Sequence, residues 1–134
     1  MKPSILDTDI LSEFLRGNQK VIARVDEHLK EFGYISLTII SYYEILNGLL
    51  YKDARKQLPL FEAFVEQNKV IPLTIRTVKI SADIQANLGK KGLLIGHTDT
   101  LIAGIAIANE MRLISNNTSH FSRVKGLETE NWMI

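Results

Sequence analysis

Ser4-Ile5-Leu6-Asp7-Thr8-Asp9-Ile10-Leu11, close to the start of the chain, changes its period halfway along. The run from Ser4 to Asp7 is short and apolar until its last residue, which reads as a buried strand ending on an acid. Ile10, Leu11, Phe14 and Leu15 then recur at helical spacing, with Thr8 and Asp9 placed to cap the first turn. A strand that hands over to a helix within two residues is the opening of an α/β unit.

The same alternation continues outward. Val21, Val25 and Leu29 trace a second helix after the break at Gly17-Asn18, with Phe32 extending the stripe and Gly33 set as its stop. Tyr34 to Ser36 reads as a second strand, and Thr38 opens a helix whose face is Ile39, Tyr43, Leu46 and Leu50. Leu60, Phe61, Phe64 and Val65 mark another helix, Val70 to Leu73 a third strand, and Ile80, Ile84 and Leu88 a further helix. Gly89, Gly92 and Gly96 suggest a mobile connection, after which Thr98 opens a helix from Asp99 to about Glu110 that carries small residues at 103, 104, 106 and 108. Arg112 to Ser115 is a fourth strand and Leu127 to Trp132 a last edge strand. Parallel neighbours need long, usually helical, crossovers. The expected fold is therefore α/β, a three-layer α/β/α sandwich with a central parallel sheet, in one domain spanning residues 1–134.

Composition narrows the function classes. The 134 residues carry a net charge of +1, 46% hydrophobic residues and no cysteine. Disorder is excluded, as are disulfides and thiolate metal sites, so any metal must be held by oxygen or imidazole. The longest stretch of apolar residues and glycine, Leu101 to Ala108, is far short of the roughly 20 residues that span a bilayer. A cytoplasmic protein with no membrane partner is expected.

Three acids stand in apolar surroundings: Asp7, Glu44 beside Ile40, Tyr43 and Ile45, and Asp99 at the head of the small-residue helix. Carboxylates are seldom withdrawn from water without a partner. In an open parallel sheet, ligands bind beyond the carboxyl ends of the strands, which is where Asp7, Ser115, Asn116 and Asn117 fall. Asp9 reads as a helix cap, and a Glu44 that reaches solvent accounts for its position as well as a buried one does. Two carboxylates about 4 Å apart repel by roughly 4 kcal/mol at an effective dielectric of 20, so a converging set calls for a counter-charge. Hard oxygen ligands point to Mg²⁺, with Mn²⁺ as the substitute. Ser115, Asn116 and Asn117 are placed to hydrogen-bond a phosphate or water, whereas His97 and His120 read as exposed and inert.

Taken in order, Leu6 to Ser12, Ile35-Ser36 through Thr38 to Glu44-Ile45 and Gly48, Ile95-Gly96 with Asp99 and Leu101-Ile102-Ala103, Leu113 to Thr118 with Phe121, and Asn131-Trp132 resemble the PIN-domain ribonucleases, specifically the VapC-type toxins of bacterial toxin-antitoxin pairs. The resemblance implies that Asp7, Glu44 and Asp99 bind Mg²⁺ and carry the catalysis. It places Asn117, or as the second choice Asn116, where many members have a fourth acid, with Thr8, Ser115 and Asn116 positioning substrate. It further implies hydrolysis of structured RNA such as tRNA or a ribosomal RNA loop, a homodimer, and a cognate antitoxin that blocks the site. Two rivals remain: a degenerate RNA-binding module of the same fold, and a haloacid-dehalogenase-type phosphatase using Asp7 as nucleophile and Asp9 as acid/base.

Overall fold

A computed structural model describes residues 2–134. The described elements begin with β1 (Ser4–Leu6), α1 (Thr8–Leu15), α2 (Gln19–Phe32) and β2 (Ser36–Thr38). They continue through α3 (Ile39–Tyr51), α4 (Gln57–Glu66), β3 (Lys69–Ile71) and α5 (Ile75–Lys90). The chain closes with α6 (His97–Ala108), β4 (Arg112–Ile114), α7 (Thr118–Phe121) and β5 (Thr129–Glu130). All five strands pair in parallel in one sheet of order β3-β2-β1-β4-β5, with Ile5 in register with Ser36 and Leu113.

Side chains alternate across a strand, and here the alternation separates two cores. Leu6, Ile35, Leu37 and Ile114 join Leu11, Val25, Phe61 and Trp132 on one face. Ile5 and Leu113 join Ile102, Ile105 and Phe121 on the other. With both faces covered, the expected three-layer α/β/α sandwich is what the chain forms.

Local chemistry sets the helix ends. Thr38 accepts from the Ser41 amide and starts α3 as expected, and Thr74 forms a capping box with Thr77 at the head of α5. Gly33 ends α2 at a φ of 80°, where a side chain would be strained. Gly104 serves a different need: a Cβ there would stand 2.8 Å from the Thr77 carbonyl oxygen, so its absence lets α5 and α6 meet backbone to backbone.

Several boundaries depart from the periodicity. β2 lies two residues later than expected, and β3 stops at Ile71 because Pro72 has no N–H for the ladder. Only Thr129–Glu130 pair at the last edge, and Gly89 lies inside α5 rather than in a connection. On α2 the buried stripe is Val21, Val25 and His28, so Leu29 turns outward. On α3 Tyr43 is 65% exposed and Ile39 and Leu50 also face out, while Ser41 and Ile45 face in. Of the expected face only Leu46 packs on the core, because the buried face begins with a serine that apolarity does not mark.

Candidate active site

The strand order reverses between β1 and β4, since the chain adds β2 and β3 on one side of β1 and β4 and β5 on the other. The ends of two adjacent strands that lead in opposite directions leave a crevice, the usual ligand site of an open parallel sheet. Asp7 follows β1 and Ser115 follows β4, and the Asp7 amide donates to the Ile114 carbonyl at 2.8 Å. That bond brings the two ends side by side.

Asp7 is only 6% exposed and is the N-cap of α1, its Oδ1 accepting from the Thr8 amide at 2.9 Å. The Ser115 hydroxyl donates to its Oδ2 at 2.7 Å. Burial nevertheless pushes the Asp7 carboxyl up from 3.8 to about 7, helped by the charge of Asp9 and, less, of Asp99, against the two hydrogen bonds. Asp9 is raised too, chiefly by burial, with Asp99 adding to it and the amides of Ile10 and Asn116 opposing.

The cap assignment is therefore corrected: Asp7, not Asp9, closes the first turn of α1. Asp9 Oδ1 accepts from the Ile10 amide at 2.7 Å and Oδ2 from the Asn116 amide at 3.0 Å, across 107 residues. Both Asp9 oxygens thus meet backbone amides, which ties the first turn of α1 to the loop after β4.

Glu44 enters through Thr8, whose hydroxyl lies 2.7 Å from Glu44 Oε1 and 2.8 Å from Ser41 Oγ. Asp99 sits half-buried in the first turn of α6, where the helix dipole favours its charge. Its Oδ2 is 3.7 Å from His120 Nδ1, which is itself 2.9 Å from Asn117 Nδ2. This ring nitrogen therefore faces both the Asp99 carboxylate and the Asn117 side-chain amide. His120, expected to be inert, thus belongs to the site, while His97 is exposed. Ser115 Oγ also accepts from the Asn117 amide at 2.9 Å, which ties the loop to the Asp7 carboxylate.

The site thus brings Asp7, Asp9 and Asp99 within electrostatic reach of one another, with Glu44 one hydrogen bond away at Thr8. Among the described residues no Lys or Arg pairs with any of the four. Nor do three acids or imidazoles among them stand close enough to hold a metal ion as they are. Like charges gain nothing by closing further until a cation joins them. The four carboxylates, hard oxygen donors to which no described Lys or Arg is paired, fit a hard divalent metal in chemistry. A groove of about 460 Å³ opens beside Thr8 and Glu44 and is lined also by Ile45, Leu49, Phe61 and Lys52.

The PIN domain family model matches residues 4–127. Ribonuclease VapC1 of Rickettsia felis is 32% identical over 128 residues, covering 92% of each chain. The tRNA(fMet)-specific endonuclease VapC of Shigella flexneri is 29% identical over 129 residues, covering 96% of each. Among solved structures, VapBC2 from Rickettsia felis bound to a promoter DNA fragment superposes with a TM-score of 0.86 at 26% identity, covering 96% of this chain and 98% of that one. With the family model spanning nearly the whole sheet and the carboxylates gathered at its strand ends, this chain belongs to the PIN domain family as a VapC-type member.

Proposed function

We propose that the chain is a metal-dependent endoribonuclease, the toxin of a toxin-antitoxin pair, with Asp7, Glu44 and Asp99 as ligands of Mg²⁺ or Mn²⁺. The observation that carries this reading is the buried Asp7 carboxyl, pushed up to about 7 beside Asp9 and Asp99 with no Lys or Arg among the described residues paired to offset it. A cluster that destabilises the chain by itself has a use when a divalent ion binds there. The chemistry such an ion supplies is charge stabilisation at the scissile phosphate and at the leaving oxygen.

The chain's own residues supply the positioning. Ser115 and the Thr8 amide fix both oxygens of Asp7, and the Thr8 hydroxyl holds Glu44. Asn117 and His120 present polar atoms beside Asp99 for water or phosphate. The relatives' names point to RNA as the substrate and tRNA as the first class to try. The partner is a cognate antitoxin, a reading supported by the VapBC complexes this chain resembles, and the groove beside Glu44 is where such a partner would cover the acids. The toxin acts in the cytoplasm as a homodimer.

Asn117, standing where many of these nucleases have an acid, favours one rival, a module of the same fold that binds RNA without cutting it. Incubating the purified chain with total tRNA and ribosomal RNA in Mg²⁺, beside EDTA and Asp99→Asn controls, separates the two. Discrete fragments lost in both controls are expected. RNA that shifts on a gel and stays full length in Mg²⁺ and Mn²⁺ would overturn the nuclease reading.

A further inference from the structure

Asn131 lies in the last turn of the chain, on no catalytic element, yet both ends of its side-chain amide are used. Its Oδ1 accepts from the Met133 amide at 2.9 Å, which fixes the orientation of the group, because a backbone N–H can only donate. Its Nδ2 therefore points the other way, donating to Asn116 Oδ1 at 2.9 Å. The Asn116 backbone amide is held from the opposite side by Asp9 Oδ2.

Asn116 is thus gripped twice, by the first turn of α1 and by the C-terminal segment. The segment itself is well anchored. The Ser115 amide donates to the Glu130 carbonyl at 2.9 Å, and the Trp132 side chain is 99% buried in the core beneath β1 and β4, with the Arg24 guanidinium 5.6 Å from its ring. What the grip controls is the next residue. With Asn116 fixed, the Asn117 amide meets Ser115 Oγ, and that hydroxyl is left to donate to Asp7 Oδ2.

We propose that Asn131 is a positioning residue of the site: with Asp9 it clamps Asn116, and through Asn117 and Ser115 it sets the orientation of the Asp7 carboxylate and of the Asn117 side chain. The bond it makes is a poor device for stability, because Asn116 is exposed and water replaces a surface hydrogen bond at little cost. Its worth lies in holding a loop still before substrate arrives, the service that outer residues render to ligating ones. This assignment rests on the nuclease reading above.

The test is Asn131→Asp, which keeps the size of the side chain and the acceptor for Met133 but loses the donor to Asn116, with Asn116→Ala and the double variant beside it. Cleavage of tRNA is measured as kcat and KM, with amide hydrogen exchange at Asn116 and Asn117 and thermal melting run on the same proteins. The expected result is a kcat lowered about tenfold with KM within about twofold, and exchange at the two amides about tenfold faster. The melting point should be within about 2 °C of the parent, and the double variant no worse than either single one. Unchanged exchange at both amides in Asn116→Ala, which leaves the residue 131 side chain no partner in either direction, would overturn the clamp, and so would a kcat loss that tracks a general fall in melting point. If the parent chain cuts no RNA, the nuclease reading fails by itself, and exchange in Asn116→Ala still decides whether the clamp exists.

Discussion

Ionising Asp7 places a charge in a site that already holds Asp9 and Asp99, with no Lys or Arg among the described residues paired to any of the three. The carboxyl titrates near 7 in the fold and near 3.8 in the unfolded chain, so between those values the native state keeps a proton that the unfolded state has released. Stability of the metal-free protein therefore falls as pH rises from about 4 to about 7, and the cost is fully present above 7, amounting to about 4 kcal/mol at most. His28, buried and lowered, contributes the opposite slope through its own range, so the contrast must be drawn against a variant. In EDTA, Asp7→Asn should melt several degrees above the parent at pH 8 and level with it at pH 4, while Mg²⁺ should raise the parent and leave the variant unmoved. Equal melting points at pH 8 would refute the assignment. Asp7 was legible in the sequence because an acid closing an apolar strand is chemically conspicuous. Asp9 was not, because an acid in a first turn has a sufficient local explanation, and its bond to Asn116 crosses 107 residues. His120 was hidden because its part in the site comes from Asp99, which lies on α6, an element that packs beside α7 only in the folded chain.

Elements were readable where burial and apolarity coincide and misread where they part. Ile5, Leu6, Leu113 and Ile114 are buried and apolar, so β1 and β4 emerge from the periodicity directly. Ser36, Thr38, Thr77 and Ser81 are equally buried but polar, so β2 was placed too early, and on α5 the polar half of the inner face beside Ile84 and Leu88 went unmarked. Between α5 and α6 that polar face has a mechanical reason. A Cβ on Gly104 would lie 1.9 Å from Ser81 Oγ and 2.8 Å from the Thr77 carbonyl oxygen; the hydroxyl can rotate away, whereas the carbonyl belongs to the helix. Gly104→Ala should cost about 1–3 kcal/mol as α5 and α6 are pushed apart. Ser81 Oγ is buried without a hydrogen-bond partner, so Ser81→Ala should be neutral or stabilising, and should relieve Gly104→Ala only in part. Urea unfolding of the two single variants and the double one checks all three expectations. Full rescue by Ser81→Ala would place the clash on the hydroxyl alone.

At the scale of the whole molecule, one parallel sheet gathers residues from 7 to 131 at a single edge, while the chain as a whole carries a net charge of only +1. An RNA approaching that edge meets acids first, which repel its phosphates until a divalent ion is present. The electrostatic attraction of the rest of the surface is therefore modest, and recognition must lean on few phosphate contacts together with the shape of the groove beside Glu44. Each single-strand phosphate neutralised adds about 0.7 to the slope of log affinity against log salt. With two contacts, KM for RNA cleavage at constant Mg²⁺ should rise about sevenfold from about 50 to about 200 mM KCl. Over the same range kcat should change little, because the groups that orient Asp7 are buried and screened little by salt. A KM that climbs more than about a hundredfold would require five or more contacts, and with them a concentrated basic surface that the composition gives no sign of. A kcat that falls in step with affinity would instead mean that salt reaches the carboxylates themselves, and that the site is wetter than the burial of Asp7 and Ser115 allows.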